Sequence, residues 1–403
     1  MIFDLMTKGV TIKDSKDLLD YISVGSTAAS GVSVTAESVS KHGPIVALIG
    51  VMQRAAGQLP LNLYEHKNGR REKARKHPIQ KLFTRGPNDF MTKKEWVELI
   101  VRQQLLYGNN YSWINRSKSG AIVELLPLNP ASVEPQLDED FNLRYKVTFP
   151  NKQKDILSSS DLLHCKIGMK TPILGCSPFT EGRNSTGLGI ALERFSNKLF
   201  GNGARPGGIL TAPTLTVEQI GDIRKAWEAT YGGVENAHKV AILSGGLEWN
   251  SMGMTSDEAQ FIDTKRVSRN ELAGMIGVPP HMIGGMENAT FSNIEHQAIE
   301  FVIHALNPIL IGIEERINKT LLTEKERETH YVKFNVNAIL RGDMKARAEF
   351  FTKMVYIGVY SPNDVRALED ENPRDGGDIY LTPSNMNING KPLGEEDADK
   401  TEA

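Results

Sequence analysis

Cysteine is nearly missing. Only Cys165 and Cys176 occur in 403 residues, with no CxxC spacing. That excludes a disulfide framework and a cysteine zinc site, and it reads as a reduced, intracellular protein with two incidental thiols. A charge excess is missing too: 47 Lys and Arg stand against 49 Asp and Glu, a formal net charge of -2. Proteins that grip nucleic acid through many phosphates carry surplus bases, so any DNA contact is expected to be loose or confined to a small surface. No secretory h-region opens the chain, because Asp4, Lys8, Lys13, Asp14 and Lys16 interrupt it. The most apolar stretch, residues 301–313, contains His304, Asn307 and Pro308 and is too short and polar to span a bilayer. The expectation is a cytoplasmic product without a membrane anchor.

Catalytic signatures are also lacking. There is no GxxxxGK[ST], no HExxH and no GxSxG. Gly187-Leu188-Gly189 lacks the third glycine of a dinucleotide fingerprint and lies inside a helical pattern. The nine histidines are scattered; His296 and His304, eight apart on one helix, are too far separated to share a metal. Asp375-Gly376-Gly377-Asp378 lacks the regularly spaced further oxygens that calcium needs and reads as a turn. No catalytic, cofactor-binding or metal-ligating residue is assigned, and the chain is not expected to be an enzyme.

What is present is a succession of elements. Residues 1–41 read as a mobile arm, rich in Ser, Thr, Gly and Ala from Val24. Ile45, Leu48, Ile49 and Met52 have helical spacing, and residues 59–64 alternate like a strand. The basic run 67–76 around Asn68-Gly69 reads as a solvated hairpin turn, with a nucleic-acid patch as the sharper alternative. Thr92-Lys93-Lys94-Glu95 forms a capping box before a helix ended at Gly108. Short strands follow to Lys166, so residues 42–170 read as one α+β domain.

A helix over 179–200 carries Leu188, Leu192, Phe195 and Leu199 on one stripe. A small β-α-β module follows, and a charged helix runs from a second capping box at Thr255 to about Ile276. Two long helices flanking a small module predict an antiparallel stalk with the module at its tip, its polar faces set against neighbouring subunits or a wet channel. Val278-Pro279-Pro280 stops the second helix, and a glycine-containing loop leads to a third long helix capped at Ser292. Pro308 is expected to kink that helix. A strand at 331–335 and two helices opening at Asp343 and Ser361 complete the ordered part.

The ordered set of motifs resembles the portal protein family of tailed double-stranded DNA phages, the head–tail connectors of the Hong Kong ninety-seven type. The motifs are Leu59-Pro60-Leu61 before a basic loop and His77-Pro78; Pro87-Asn88 with Met91-Thr92; and Leu106-Tyr107-Gly108-Asn109-Asn110-Tyr111. Further along come Gly175-Cys176-Ser177-Pro178, Pro206-Gly207-Gly208-Ile209-Leu210, Gly277-Val278-Pro279-Pro280, Phe291-Ser292-Asn293-Ile294-Glu295, Asn307-Pro308 and Gly376-Gly377-Asp378.

The resemblance implies an α+β multidomain portal fold. Its parts would be an N-terminal arm (1–41), an α/β wing (42–178), stem helix one (179–204), a small β-α-β clip (205–253) and stem helix two (254–278). A tunnel loop (279–292), a kinked helix and strand (293–342), a short helical crown (343–382) and a flexible tail (383–403) would follow. It implies a homo-oligomeric ring, twelve subunits around a DNA channel at a capsid vertex of the virion. Its partners would be double-stranded DNA held transiently, the terminase large subunit, the major capsid protein and a head–tail adaptor.

The channel loop would comprise Gly284, Gly285, Met286, Glu287, Asn288, Ala289, Thr290, Phe291, Ser292 and Asn293. Lys265, Arg266 and Arg269 of stem helix two would face DNA weakly or form salt bridges within the ring. Thr216, Arg224, Trp227, Tyr231 and Trp249 of the clip would meet terminase and adaptors. Two other readings stand beside this one: another structural ring of the head–tail junction, or a DNA-processing enzyme, which would need clustered Asp, Glu or His.

Overall fold

The computed structural model describes residues 27–67, 70–149, 151–201, 208–211, 221–223, 225, 248–251, 256–285, 291–336, 344–369, 371–381, 387–388 and 391–392. The chain forms two compact units, Met1–Phe334 and Asn335–Ala403.

Order in the first unit begins earlier than the Ser/Thr-rich composition predicts. From residue 27 the chain is packed, with Ala28, Val32, Val34 and Val39 buried. Helix α1 (Ala36–Ser40) is short, but Thr35 and Ser38 close a reciprocal capping box over it. Small polar residues here satisfy backbone groups locally, and a few apolar side chains anchor the segment. The expectation of a mobile arm to residue 41 therefore fails for residues 27–41; residues 1–26 lie outside the described ones.

Helix α2 (Gly43–Gly57) buries Ile45, Leu48, Ile49, Met52 and Ala56, one face of a 3.6-residue repeat. β1 (Leu61–Lys67) and β2 (Arg70–Lys73) form the expected hairpin, with Lys67 opposite Arg70. Helix α3 (Pro78–Arg85) leads to α4 (Lys93–Tyr107). The Thr92 hydroxyl accepts from Glu95 N–H at 3.3 Å and Glu95 Oε2 accepts from Thr92 N–H at 2.8 Å, the box read from sequence. Trp96 of α4 is buried beside Phe83 and donates its indole N–H to Ser112 Oγ at 3.2 Å.

Gly108 ends α4 in the left-handed region, φ 75°. A Cβ there would lie 2.4 Å from the backbone of Cys176, so glycine is required both for the turn and for the close approach. Strands β3 (Asn109–Arg116), β4 (Ile122–Leu128), β5 (Val133–Leu137), β6 (Leu143–Thr148), β7 (Lys154–Ser158) and β8 (Leu162–Lys166) make two antiparallel three-stranded sheets, ordered β4-β3-β8 and β5-β6-β7. Between them Tyr111, Val133, Tyr145, Val147 and Leu162 form an apolar cluster. β9 (Met169–Thr171) and β10 (Leu174–Gly175) then lead into helix α5 (Pro178–Glu181) and helix α6 (Arg183–Gly201). The helix expected over 179–200 is thus broken at Gly182.

β11 (Gly208–Thr211) and β12 (Glu248–Ser251) pair antiparallel, returning the chain beside its own path before helix α7 (Ser256–Met275). Helix α8 (Phe291–Glu300) continues through a π segment, Phe301–Leu306, into helix α9 (Asn307–Leu321). Asn307 N–H bonds the carbonyl of Val302, five residues back. Pro308 has no N–H to continue the ordinary ladder, and the widened turn before it absorbs the mismatch.

From His296 to Leu321 this helix is long and apolar enough to cross a membrane by length and composition, unlike the 13-residue stretch legible in sequence. Phe301, Val302, Leu306, Leu310, Ile313, Ile317 and Leu321 are buried inside the unit, the pattern of a core helix. β13 (His330–Phe334) pairs with β1, Leu61 opposite Phe334, completing a β13-β1-β2 sheet. Residues 42–170 therefore do not close a domain alone, since strand and helix from beyond residue 290 finish their sheet and core.

The second unit holds helix α10 (Met344–Tyr356), helix α11 (Pro362–Leu368), β14 (Asn387–Ile388) and β15 (Lys391–Pro392). Ser361 and Asp364 cap α11 reciprocally, with Pro362 in its first turn as expected. Asn363 ties the 375–378 turn down, donating to Arg374 O at 3.0 Å and Asp378 Oδ1 at 2.9 Å.

Candidate functional site

The two long helices proposed as a stalk lie side by side. Gly182 meets Met275, Gly189 meets Ser268 and Leu272, and Phe195 and Phe261 approach to 5.3 Å between ring centroids. Residue numbers rise along α6 as they fall along α7, so the pair is antiparallel. The seam is built from small and polar residues: Thr186, Gly187, Gly189, Ile190 and Ser196 are buried on α6, and Ser268, Leu272 and Ala273 on α7. A Cβ on Gly187 would sit 2.3 Å from Cβ of Ala28, so this helix also seats the 27–34 segment.

Much of the apolar stripe of α6 is left in solvent on the single chain. Leu188 is 41% exposed, Phe195 55% and, on α7, Val267 53%. Leu192 is half-buried, and the side chain of Leu199 lies outside the described residues. Small residues win the inner face because they let the backbones approach; the larger apolar side chains are left outside.

Where α2, α6 and α7 meet, buried His42 pairs through Nδ1 with Glu193 of α6. Its Nε2 and the Ser268 hydroxyl have no hydrogen-bond partner among the described residues, and both border the space above Gly189.

The three bases expected to matter on α7 lie within five residues of one another but differ in surroundings. Lys265 is exposed, Arg266 pairs with Asp263 at 3.3 Å, and Arg269 is half-buried. The Arg269 guanidinium points to the Gly284 carbonyl at 3.5 Å, a long contact. Gly284 is left-handed, φ 92°, and Gly285 N–H returns to Pro280 O at 2.9 Å, so the start of the candidate loop is a tight turn. Met286, Glu287, Asn288, Ala289 and Thr290 lie outside the described residues. Phe291, Ser292 and Asn293 already belong to the first turn of α8, not to a loop before a Ser292 cap. Thr216, Arg224, Trp227 and Tyr231 lie outside the described residues, as does the Thr255 cap, and only the backbone of Trp249 is described, in β12.

Sequence reasoning passed over a buried polar network in the first unit. Asn109 Oδ1 accepts from Gly175 N–H at 2.8 Å and from His164 Nε2 at 3.0 Å. His164 Nδ1 lies 3.1 Å from the Tyr145 hydroxyl. Burial, with Lys166 and Arg316 nearby, holds His164 well below its ordinary range, so the ring is neutral. Nε2 then carries the proton and donates, and Nδ1 accepts from Tyr145. The hint in sequence was a polar pair, Asn109-Asn110, at a helix end followed by an apolar strand.

Neither cysteine thiol is activated toward the thiolate. Burial pushes the Cys165 thiol up to about 12, and the Cys176 thiol is also raised. Among the described residues no three His, Cys, Asp or Glu side chains gather to hold a metal.

The family model "Phage portal protein" matches residues 45–370. The chain belongs to the phage portal protein family. It is 33% identical over 381 residues to the "Probable portal protein" of Streptomyces phage phiC31, covering 90% of this chain and 82% of that one. To the "Portal protein" of Enterobacteria phage HK97 it is 28% identical over 355 residues, covering 87% and 83%. Among solved structures, a chain from "Neck of native GTA particle computed with C12 symmetry" superposes with a TM-score of 0.56 at 20% identity, covering 88% of this chain and 99% of that one. The portal chain is thus a structural component of the phage head–tail junction, and DNA packaging is the role that goes with its family. The expected fold holds at the level of a mixed α+β portal architecture of small sheets.

Proposed function

We propose that this chain closes with copies of itself into a twelve-membered ring, made in the bacterial cytoplasm and built into one capsid vertex. Double-stranded DNA passes through its pore during packaging and ejection. The supporting observation is the outward apolar surface of the antiparallel pair: Leu188, Phe195 and Val267 stand in solvent on a single subunit. Neighbouring subunits would cover them. The C12 symmetry of the structurally similar GTA neck supports the count of twelve.

In this reading α6 and α7 are the stem and residues 42–178 the wing, which meets the major capsid protein. Residues 205–253 are the clip, on which the terminase large subunit docks and is later replaced by a head–tail adaptor; residues 343–382 are the crown. Motive energy comes from the terminase, and the ring supplies a passage. A conduit must not hold what it conducts. Each neutralised phosphate adds counterion-release free energy, and a chain of net charge -2 keeps that term small. Residues 279–290 act as the tunnel loop, which ends where α8 begins, and the contact from Arg269 to Gly284 ties the loop's base to the stem.

Electron microscopy of the purified chain tests the ring, with a central opening of duplex width expected; particles without an axial opening would overturn it. Deletion of Met286 to Thr290, which spares the Gly284–Gly285 turn, should leave ring assembly intact and impair packaging or DNA retention. Wild-type packaging and retention in that variant would remove the loop from the mechanism.

A further inference from the structure

One face of the β13-β1-β2 sheet carries bases and no carboxylate. Side chains alternate along each strand, so the ladder pairs Tyr64 with Lys73 and Tyr331, and His66 with Arg71, on one face. Lys333 lies on the same face, two residues from Tyr331. Both strand carboxylates, Glu65 and Glu72, lie on the other face, paired across the ladder next to the Lys67–Arg70 pair.

The basic face is open and preorganised. His66, Arg71, Lys73 and Lys333 are exposed. Tyr64 and Tyr331 stack at 5.7 Å between centroids, and His66 stacks on Tyr331 at 5.2 Å. The Arg71 guanidinium lies 3.7 Å from the Tyr64 ring centroid, which holds its donors in place. Arg71 and Lys73 make no ion pair among the described residues, while Lys333 is within electrostatic reach of Glu314 on α9. Arg75 and Lys76, both exposed, continue the basic run past the sheet.

We propose that this face binds the phosphodiester backbone of double-stranded DNA. Residues two apart on a strand repeat every ~6.8 Å and neighbouring strands lie ~4.8 Å apart. This rigid grid of cations suits an evenly charged polyanion better than the irregular carboxylates of a protein. The binding follows from the sheet alone. Its place in function rests on the conduit reading: a face that grips phosphate would stall DNA in a pore, so it serves DNA that is not being translocated.

The test uses preassembled full-chain protein and covalently closed circular duplex, which cannot thread a closed ring. Retention is measured on filters between 50 and 200 mM salt, with linear duplex in parallel. Wild type should hold the circle. The double variant Arg71→Gln with Lys73→Gln should bind about tenfold more weakly at low salt, with a log–log salt slope shallower by about two, the loss of two phosphate contacts. A control variant, Lys118→Gln on a separate exposed turn, should bind as wild type does. Circular dichroism and particle size check that the variants remain folded and assembled.

No retention of circles by wild type, or equal retention by the double variant, overturns the proposal. Displacement of DNA by polyglutamate at equal charge overturns it in favour of an acidic protein partner. Retention of linear DNA alone would leave the conduit reading standing and this one refuted. Retention of circles by particles with no pore would do the reverse.

Discussion

Phe195→Ala gives the sharpest measure of assembly. The side chain is 55% exposed on the single chain although it touches Phe261. Taking a full area of about 200 Å² for a phenylalanine, roughly 110 Å² awaits a neighbour. At about 25 cal/mol per Å², burying it contributes ~2.7 kcal/mol to each subunit interface. One interface weakened by that amount loses about a hundredfold in association constant. Within the subunit the other roughly 90 Å² of the side chain is already buried, so truncation also costs about 2 kcal/mol of fold stability, plus about 1 kcal/mol for the Phe195–Phe261 pair. Sedimentation across a dilution series should show the ring dissociating at roughly a hundredfold higher concentration than wild type, measured at a temperature where circular dichroism shows the variant subunit still folded. Rings that persist to the same dilution would show that this side chain faces solvent in the assembly, and the outward face of α6 would not be an interface.

Gly108→Ala combines an unfavourable φ of 75° with a methyl group 2.4 Å from backbone that cannot move cheaply, so a loss of about 3 kcal/mol or more is expected in urea unfolding. For His164 the sign follows from its depressed folded-state affinity for protons. The unfolded ring takes up a proton below about pH 6.5 and the folded one resists, so stability is unaffected above that pH and falls as pH drops below it. Stability should therefore fall from pH 7.5 to 5.5, and His164→Gln should lack that component when urea midpoints are compared at the two pH values.

Some of this protein was open to reading before any coordinates. The capping boxes at Thr92 and Ser361, the Gly108 stop and the hairpin around residues 67–70 are local devices, whose partners lie within four residues in sequence. Local chemistry decides them, so the sequence displays them. The family was legible for a related reason: its motifs are mostly turns, caps and glycines whose order survives even where each one alone is weak.

Other features depended on partners far away in the chain. The burial of residues 27–41 depends on Gly187 admitting Ala28, and no composition rule for a Ser/Thr-rich segment contains that information. The stripe of Leu188 and Phe195 has the spacing of a core face, yet periodicity reports only that a face is apolar, not which neighbour it meets. Pairing of β1 with β13 joins residues some 270 apart, and with it arose the basic face of Arg71, Lys73 and Lys333. Alone, that run reads as a solvated turn.

By itself, the sequence determined the helices, their stops, the hairpins and the family, because each rests on short-range hydrogen bonding and backbone preference. Only the tertiary structure decided which faces are covered, which cations stand together and where order begins. Those depend on the distances between segments that the linear chain leaves unspecified.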